Sequence, residues 1–369
     1  VAFWKTPAAL LAAALSLASC SGSRDYRAVV ALDEAFVAAY PSLAAALEKP
    51  AAFEGAFGAA LGGSPKRLRI SLTQGAGLAL DAAREAATGS SRPVALVTSP
   101  LIASALLGGG VWKGNPPLLV PEWRGKPSSG LWTATTDPVP AYRQAGSALG
   151  AYIAELGRKG GSPSCGILFT EGPSRPRSAL NAFAEAYSEA SGGADLLVRE
   201  IPASTGDTPP AAGPGEPPAA PSGSRPDAAP AAPAPQAAVP AAASAKALGP
   251  EEAVKEMLGS DIRALFVALG PDTVVAVKAA ARPGLALGAD YPDPVPLKAL
   301  SFRITPNEAG LVEALARELR PLGKGGAGTE SRAAAVPARL EIGGAASALK
   351  AGDRSLAAFL RRAGSGEAR

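Results

Sequence analysis

Apolar residues come in two rhythms along this chain, short continuous runs and longer stretches at helical spacing, and the two alternate. "YRAVVALDEAF" predicts a strand running into a turn, with "YPSLAAALEK" helical after it. "KRLRISLTQ" and "RPVALVTSP" are strand-like, and each precedes a helical stretch, "GLALDAAREAATG" closed by Gly89 and "LIASALLGG". "PPLLVPEW" is another short apolar strand. From Pro138, "PVPAYRQAGSALGAYIAELGRKGG" places apolar residues on one helical face, with Arg158 and Lys159 near its end and a glycine stop. Strand "CGILFTEG", helix "SALNAFAEAYSEASGG" and strand "DLLVREI" follow.

The alternation then breaks. Residues 203–250 hold a dozen prolines, no aromatic residue and almost no branched aliphatics. Such a segment cannot bury enough apolar surface to offset its chain entropy, so it reads as a disordered Pro/Ala-rich insertion with polyproline II character. Beyond it the rhythm resumes: helix "PEEAVKEMLGSD" starting at Pro250, strand "IRALFVALG", helix "PDTVVAVKAAARPG", and strands "LALGADY" and "LKALSFRI". A strongly amphipathic helix, "TPNEAGLVEALARELRPLG", comes last, with Thr305 expected as its cap and Pro306 at its first position. Strands separated by helices of 10–20 residues predict an α/β fold of parallel sheets covered on both faces. Because the rhythm is the same on both sides of the insertion, the insertion is expected to be a surface loop within one domain.

Composition narrows the chemistry. The chain has 369 residues, a net charge of +4 and no histidine. The absence of histidine removes the usual general base, the Ser-His-Asp and Cys-His arrangements and imidazole-bound metals. No carboxylates pair at metal-ligand spacing, so neither catalysis nor a cofactor is expected. The basic clusters at 66–69 and 361–362 are short and lack interleaved aromatics, which disfavours nucleic acid. "QGAGLAL" begins like a dinucleotide fingerprint but has Leu80 at its third glycine position. "GGGVWKGNPP" lacks the Gly-Lys-Ser/Thr ending of a phosphate loop.

The first twenty residues have the form of an export signal: Lys5, an apolar run from Ala8 to Leu17, then small residues. Val1 is read as a translated GUG start. The apolar run is too short to remain as a membrane span. Leu17-Ala18-Ser19-Cys20 resembles the bacterial lipobox, which implies cleavage before Cys20 and lipidation of its thiol. An ordinary cleaved signal peptide or an uncleaved anchor is the alternative. Cys165, entering a predicted strand, is expected to be a small buried apolar residue.

Residues 135–187 and 264–292, continuing through "SFRITPNEAGLVEALARELRPLGKG" to "VPARLEIGGAAS", carry order-specific features. Asp137 follows an extended segment and precedes a long helix, and Arg177, with Arg175 competing for the place, follows a strand. Gly270-Pro271-Asp272 and Gly288-Ala289-Asp290 close two later strands, and Pro306 and Gly310 frame a late helix. This resembles the C-terminal half of type I periplasmic-binding proteins, a fold shared by sugar and nucleoside receptors and the ligand domains of the lactose-repressor family. The resemblance implies two Rossmann-like lobes, hinge-linked, with a ligand in the cleft between them. An N-terminal lobe is expected from 20–136 plus about 270–300. A C-terminal lobe is expected from 137–202, 251–269 and about 301–346, with 347–369 a tail.

Carried over position by position, Asp137, Arg177, Asp272 and Asp290 face that cleft. Strand-end reasoning adds Asp33, Thr73, Gln74, Ser99 and Trp123, with Trp132 and Tyr291 as aromatic candidates. Ala289 departs from the family, which commonly has an aromatic before that carboxylate. Together with the export signal, these features point to a lipid-anchored solute-binding protein of the cell envelope. It would be a monomer, binding a sugar or nucleoside and delivering it to an ABC-type permease. A surface interaction lipoprotein with a degenerate receptor fold is the alternative.

Overall fold

The computed structural model describes residues 28–40, 69–72, 76–89, 93, 95–202, 248–290, 300–319 and 331–342. The described chain begins with β1 (Ala28–Leu32), α1 (Glu34–Ala39), β2 (Arg69–Leu72), α2 (Ala76–Thr88), β3 (Ala95–Thr98) and α3 (Pro100–Gly108). It continues through β4 (Leu118–Pro121), β5 (Leu131–Asp137), α4 (Val139–Arg158), β6 (Ser164–Phe169), α5 (Arg177–Ser191) and β7 (Leu196–Glu200). After residue 247 come α6 (Pro250–Leu258), β8 (Ile262–Ala268), α7 (Thr273–Ala280), β9 (Ala286–Asp290) and β10 (Phe302–Thr305). The last elements are α8 (Glu308–Leu319), β11 (Arg332–Pro337) and β12 (Arg339–Ile342).

Two compact units result. Unit 1 takes the chain to Pro138 and again from Thr305 to Arg339; unit 2 takes Val139–Ile304 and the chain from Leu340. The backbone therefore passes between them three times. Each unit is built on a six-stranded sheet, in the order β2-β1-β3-β4-β5-β11 in unit 1 and β7-β6-β8-β9-β10-β12 in unit 2. The registered pairs in both sheets are parallel. Counted within each unit, the first five strands follow the doubly wound order 2-1-3-4-5, which reverses beside the first strand.

The α/β expectation therefore holds, and burial explains it. Strands covered by helices on both faces need apolar residues at every position, and β3, β4 and β6 are buried throughout. In unit 1, Val30, Leu32, Val97 and Trp132 face Phe36 of α1 and Leu311 and Leu315 of α8. The opposite face packs Val29, Ala31 and Leu96 against Ala79 and Ala83 of α2 and Ile102 and Leu106 of α3. In unit 2, Leu265, Val267 and Leu287 meet Val254 and Met257 of α6 and Ala276 and Val277 of α7.

The other face of that sheet carries α4 and α5, which approach closely because α4 has glycines a turn apart. A Cβ at Gly146 would lie 2.3 Å from the Phe183 carbonyl oxygen, and one at Gly150 would lie 2.6 Å from that of Tyr187. Phe266 of β8 anchors the same layer, with its ring 5.2 Å from those of both Tyr142 and Phe183 and 5.9 Å from Phe302.

The chain divides differently from the sequence expectation. Strand β9 hydrogen-bonds between β8 and β10 in the second sheet, so residues 286–290 belong to unit 2. Helix α8 packs on the first sheet and β11 pairs with β5, so Thr305–Arg339 returns to unit 1. The second passage falls at the end of β10, whose Phe302, Arg303 and Ile304 pair with β9 and whose last residue, Thr305, already belongs to unit 1. Thr305 ends that strand and does not cap the next helix. Asn307 does, its Oδ1 accepting the Gly310 N–H at 3.1 Å. Strands β7 and helix α6, on either side of the Pro/Ala-rich segment, lie in the same unit, with Ile201 packed among Ala253 and Val254. The insertion at 203–247, the 41–49 helix expectation and the tail at 347–369 lie outside the described residues.

Candidate functional site

In a doubly wound sheet the polar turn residues collect at the carboxyl ends of the strands, and the break in strand order opens a crevice there. Each unit has a polar group at that place.

In unit 1, Asp33 follows β1 and Ser99 follows β3, the neighbouring strand across the reversal. Ser99 Oγ donates to Asp33 Oδ2 at 2.5 Å, and Asp33 Oδ1 accepts the Phe36 N–H at 2.9 Å, capping α1. The Asp33 N–H completes the exchange by donating to Ser99 Oγ at 3.4 Å. Both side chains are buried. Immediately before Ser99, the Thr98 hydroxyl is buried and, among the described residues, has no hydrogen-bond partner. Such a group is uncommon and calls for a reason.

A second polar cluster of unit 1 lies at the ends of β4 and β5. Glu122, the residue after β4, has φ 58°, a left-handed conformation that costs a non-glycine residue about 1–3 kcal/mol. Its Oε1 accepts the Thr136 N–H at 2.9 Å and the Thr136 hydroxyl, while Oε2 pairs with Arg124 at 3.1 Å. Arg124 returns to the Thr136 carbonyl at 2.9 Å. This clasp joins the ends of the two strands next to Asp137, whose carbonyl accepts the Ala338 N–H at 2.9 Å. Burial holds the nearby Tyr40 phenol well above its usual range, with Glu122 adding to the shift.

In unit 2, Asp290 ends β9, and the Tyr142 hydroxyl, from the first turn of α4, donates to its Oδ2 at 2.5 Å. Arg175, in the turn after β6, is the positive charge beside them. Its guanidinium is buried and ordered by its own turn, with Nε donating to the Thr170 carbonyl at 3.2 Å and Nη1 to Ser174 Oγ at 3.3 Å. Burial raises the Asp290 carboxyl above the ordinary range, opposed by the Tyr142 hydrogen bond and then by the Arg175 charge. Burial also raises the Tyr142 phenol, and the adjacent carboxylate adds to it. A carboxylate, a phenol and a guanidinium thus converge at one strand end, where they can exchange hydrogen bonds with hydroxyl or amine groups.

Arg177 belongs to a surface network: it pairs with Glu200 through both guanidinium nitrogens and with Glu171 at 3.1 Å, and its side chain is 40% exposed. The Glu200 hydrogen bond raises its pKa and depresses that of Glu200. Of the two competing arginines, Arg175 is the one beside Asp290. Asp272 ends a single 3-10 turn after β8 and makes no side-chain cap bond to α7. Trp132 is core, 1% exposed, with the Arg332 guanidinium 5.1 Å above its ring. Trp123 folds over Gly125 and donates to the Lys126 carbonyl at 3.2 Å. Ala289 is fully buried on the core face of β9, so no aromatic at this position could reach a ligand. Thr73, Gln74, Tyr291 and Cys20 lie outside the described residues.

Sequence reading did not pick out Tyr142 or Glu122. Tyr142 reads as one more apolar position of an amphipathic helix, and nothing in its spacing reveals a partner 148 residues away. A cavity of about 20 Å³ between sheet, α1 and α8 in unit 1 is lined by Val30, Leu32, Phe36, Val97, Leu311 and Leu315, among others. It has room for about one water and a mainly apolar lining. Among the described residues, no group of three or more His, Cys, Asp or Glu could hold a metal ion, and no helix is long and apolar enough to cross a membrane.

No protein-family model and no curated protein matches the chain. Among solved structures, it is similar to a periplasmic ribose ABC transporter from Conexibacter woesei, at 14% identity and TM-score 0.48, over 86% of this chain and 92% of that one. A carbohydrate transporter solute-binding protein from Agrobacterium radiobacter, in complex with D-arabinose, aligns at 12% identity and TM-score 0.44, over 91% and 99% of the two chains. A LacI-family regulator from Corynebacterium glutamicum aligns at 12% identity and TM-score 0.44, over 86% and 98%. The fold assignment rests on the sheets themselves. Two doubly wound parallel sheets, linked by three passages of the chain, make the two-lobe periplasmic-binding-protein-like fold that the sequence resemblance implied.

Proposed function

We propose that this chain is an extracytoplasmic solute-binding protein, lipid-anchored through Cys20, that binds a small polar ligand, a sugar or nucleoside, for an ABC-type importer. The observation that carries the ligand part is the convergence of Asp290, Tyr142 and Arg175 at the carboxyl end of the unit 2 sheet. The unpartnered Thr98 hydroxyl, beside Asp33 and Ser99 at the reversal of the unit 1 sheet, supports the same reading, because a ligand hydroxyl could satisfy it. Asp272 and Asp137 are further candidates by their positions after β8 and at the end of β5. Mass spectrometry of small molecules released from the purified protein tests the proposal. A stoichiometric sugar or nucleoside supports it. A protein that releases none, and whose melting temperature none of them raises, contradicts it. Loss of detergent-phase partitioning in Cys20→Ser tests the anchor separately.

A second reading keeps the fold and drops the ligand, making the protein a surface interaction lipoprotein. The observation favouring it is that Asp33 spends both oxygens inside the protein, on Phe36 and Ser99, while Arg177 is engaged by two glutamates.

A further inference from the structure

We propose that Tyr142 is a positioning residue that takes Asp290 Oδ2 for the protein and leaves Oδ1 for the ligand, so that Asp290 receives one hydroxyl or amine donor and not a vicinal diol. The inference rests on the solute-binding reading for the existence of a ligand, but the pinning of Asp290 stands on geometry alone.

Tyr142 cannot leave easily. Its side chain is 0% exposed, it rises from the first turn of a helix, and its ring meets Phe266 edge-on at 5.2 Å. A carboxylate takes a diol or guanidinium in bidentate fashion through one lone pair of each oxygen, so a strong bond already held by one oxygen competes with that mode. Here one oxygen already holds a 2.5 Å bond from a fully buried group, while Asp290 itself remains partly exposed. After the Tyr142 hydrogen bond, the Arg175 charge is what opposes the desolvation of this part-buried carboxylate, and its Nε and Nη1 are directed to its own turn. Among the described residues, the charged and titrating groups facing Asp290 are Tyr142 from α4 and Arg175 from the turn after β6.

The test has two arms on the full chain. Carboxyl carbon NMR follows the Asp290 titration, assigned by its loss in Asp290→Asn, in wild type and Tyr142→Phe. Losing a hydrogen bond to the charged form shifts the Asp290 pKa further up. An unchanged value means that Tyr142 does not pin Asp290, and it overturns the proposal whatever the protein binds. In the second arm, calorimetry compares D-ribose with 2-deoxy-D-ribose, and adenosine with 2′-deoxyadenosine. The expected result is a preference for the diol-bearing ligand that grows about tenfold in Tyr142→Phe, as the second oxygen opens. Equal preference in both proteins overturns the ligand class. Binding of none of the four to wild type removes the ligand class together with the solute-binding reading, and leaves the NMR arm to decide the role of Tyr142.

Discussion

Asp33 and Ser99, 66 residues apart in sequence, hold each other at the ends of adjacent parallel strands through a 2.5 Å hydrogen bond from hydroxyl to carboxylate. The same carboxylate caps α1, so one buried group closes a strand, starts a helix and ties β1 to β3. Ser99→Ala leaves a buried carboxylate oxygen without its partner and is expected to cost about 1–3 kcal/mol. Asp33→Ala also loses the cap, worth about 1 kcal/mol more. Urea unfolding measures both. A Ser99→Ala protein as stable as wild type would show that the bond contributes nothing.

Packing of α4 on α5 is equally open to test. Gly146→Ala puts a methyl group 2.3 Å from a backbone carbonyl oxygen, which no side-chain rotation can relieve. The helices must part, at about 1–3 kcal/mol. Gly157, in the same helix, has nothing within 4 Å of its added Cβ, so Gly157→Ala is expected to gain up to about 1 kcal/mol. Opposite signs in thermal unfolding confirm that contact, and not helix propensity, sets the first value.

The two arginines near the unit 2 site separate by burial. Arg177 is a 40% exposed surface partner, so Arg177→Ala is expected to change stability by less than about 1 kcal/mol, and less still in high salt. Arg175→Ala removes the positive charge that opposes the burial of Asp290 and is expected to raise that carboxyl further. Titration of Asp290 in the two variants distinguishes them.

The pH dependence follows from the same group. Burial raises the folded Asp290 carboxyl above its unfolded value, so the folded state holds the proton more tightly. Its favourable contribution is complete below the unfolded carboxylate range and is lost as pH rises through the raised value. Asp290→Asn cannot ionise, and its amide oxygen still accepts from Tyr142. It is therefore expected to be more stable than wild type at pH 7, by a margin that closes below about pH 4. Urea midpoints across that range give the result. A margin that grows toward acid would reverse the sign and contradict the burial of the charge.

Cys165 was expected to be inert, and the structure explains why. The side chain is 0% exposed in β6, and burial pushes its thiol well above the usual range. It should therefore resist alkylation in the native protein and react after unfolding, as peptide mapping of iodoacetamide adducts would show.

Much of this architecture is legible in the sequence because a parallel sheet covered on both faces demands unbroken apolar runs. "PVALVT" and "CGILFT" satisfy that demand and became β3 and β6. Strand β5 was less visible because its threonines interrupt the apolar run; Thr136 is instead held by Glu122. Assignment of strands to units failed where local pattern carries no information. Nothing in "LALGAD" reports that its neighbours are β8 and β10. At the site, the turn carboxylates were readable from their places after strands, while their partners were not. The choice of Arg175 over Arg177 depends on a two-residue turn, with Gly172 and Arg175 exchanging backbone hydrogen bonds, that folds one guanidinium back over the strand end.

Whether the polar groups at the carboxyl ends of these sheets hold a small polar solute is decided by thermal unfolding of the full chain with sugars and nucleosides, run beside Asp290→Ala. At least one such ligand is expected to raise the wild-type melting temperature, and Asp290→Ala to lower the affinity for that ligand by about tenfold or more. A wild-type melting temperature indifferent to every sugar and nucleoside, or a ligand bound equally well by Asp290→Ala, would contradict it.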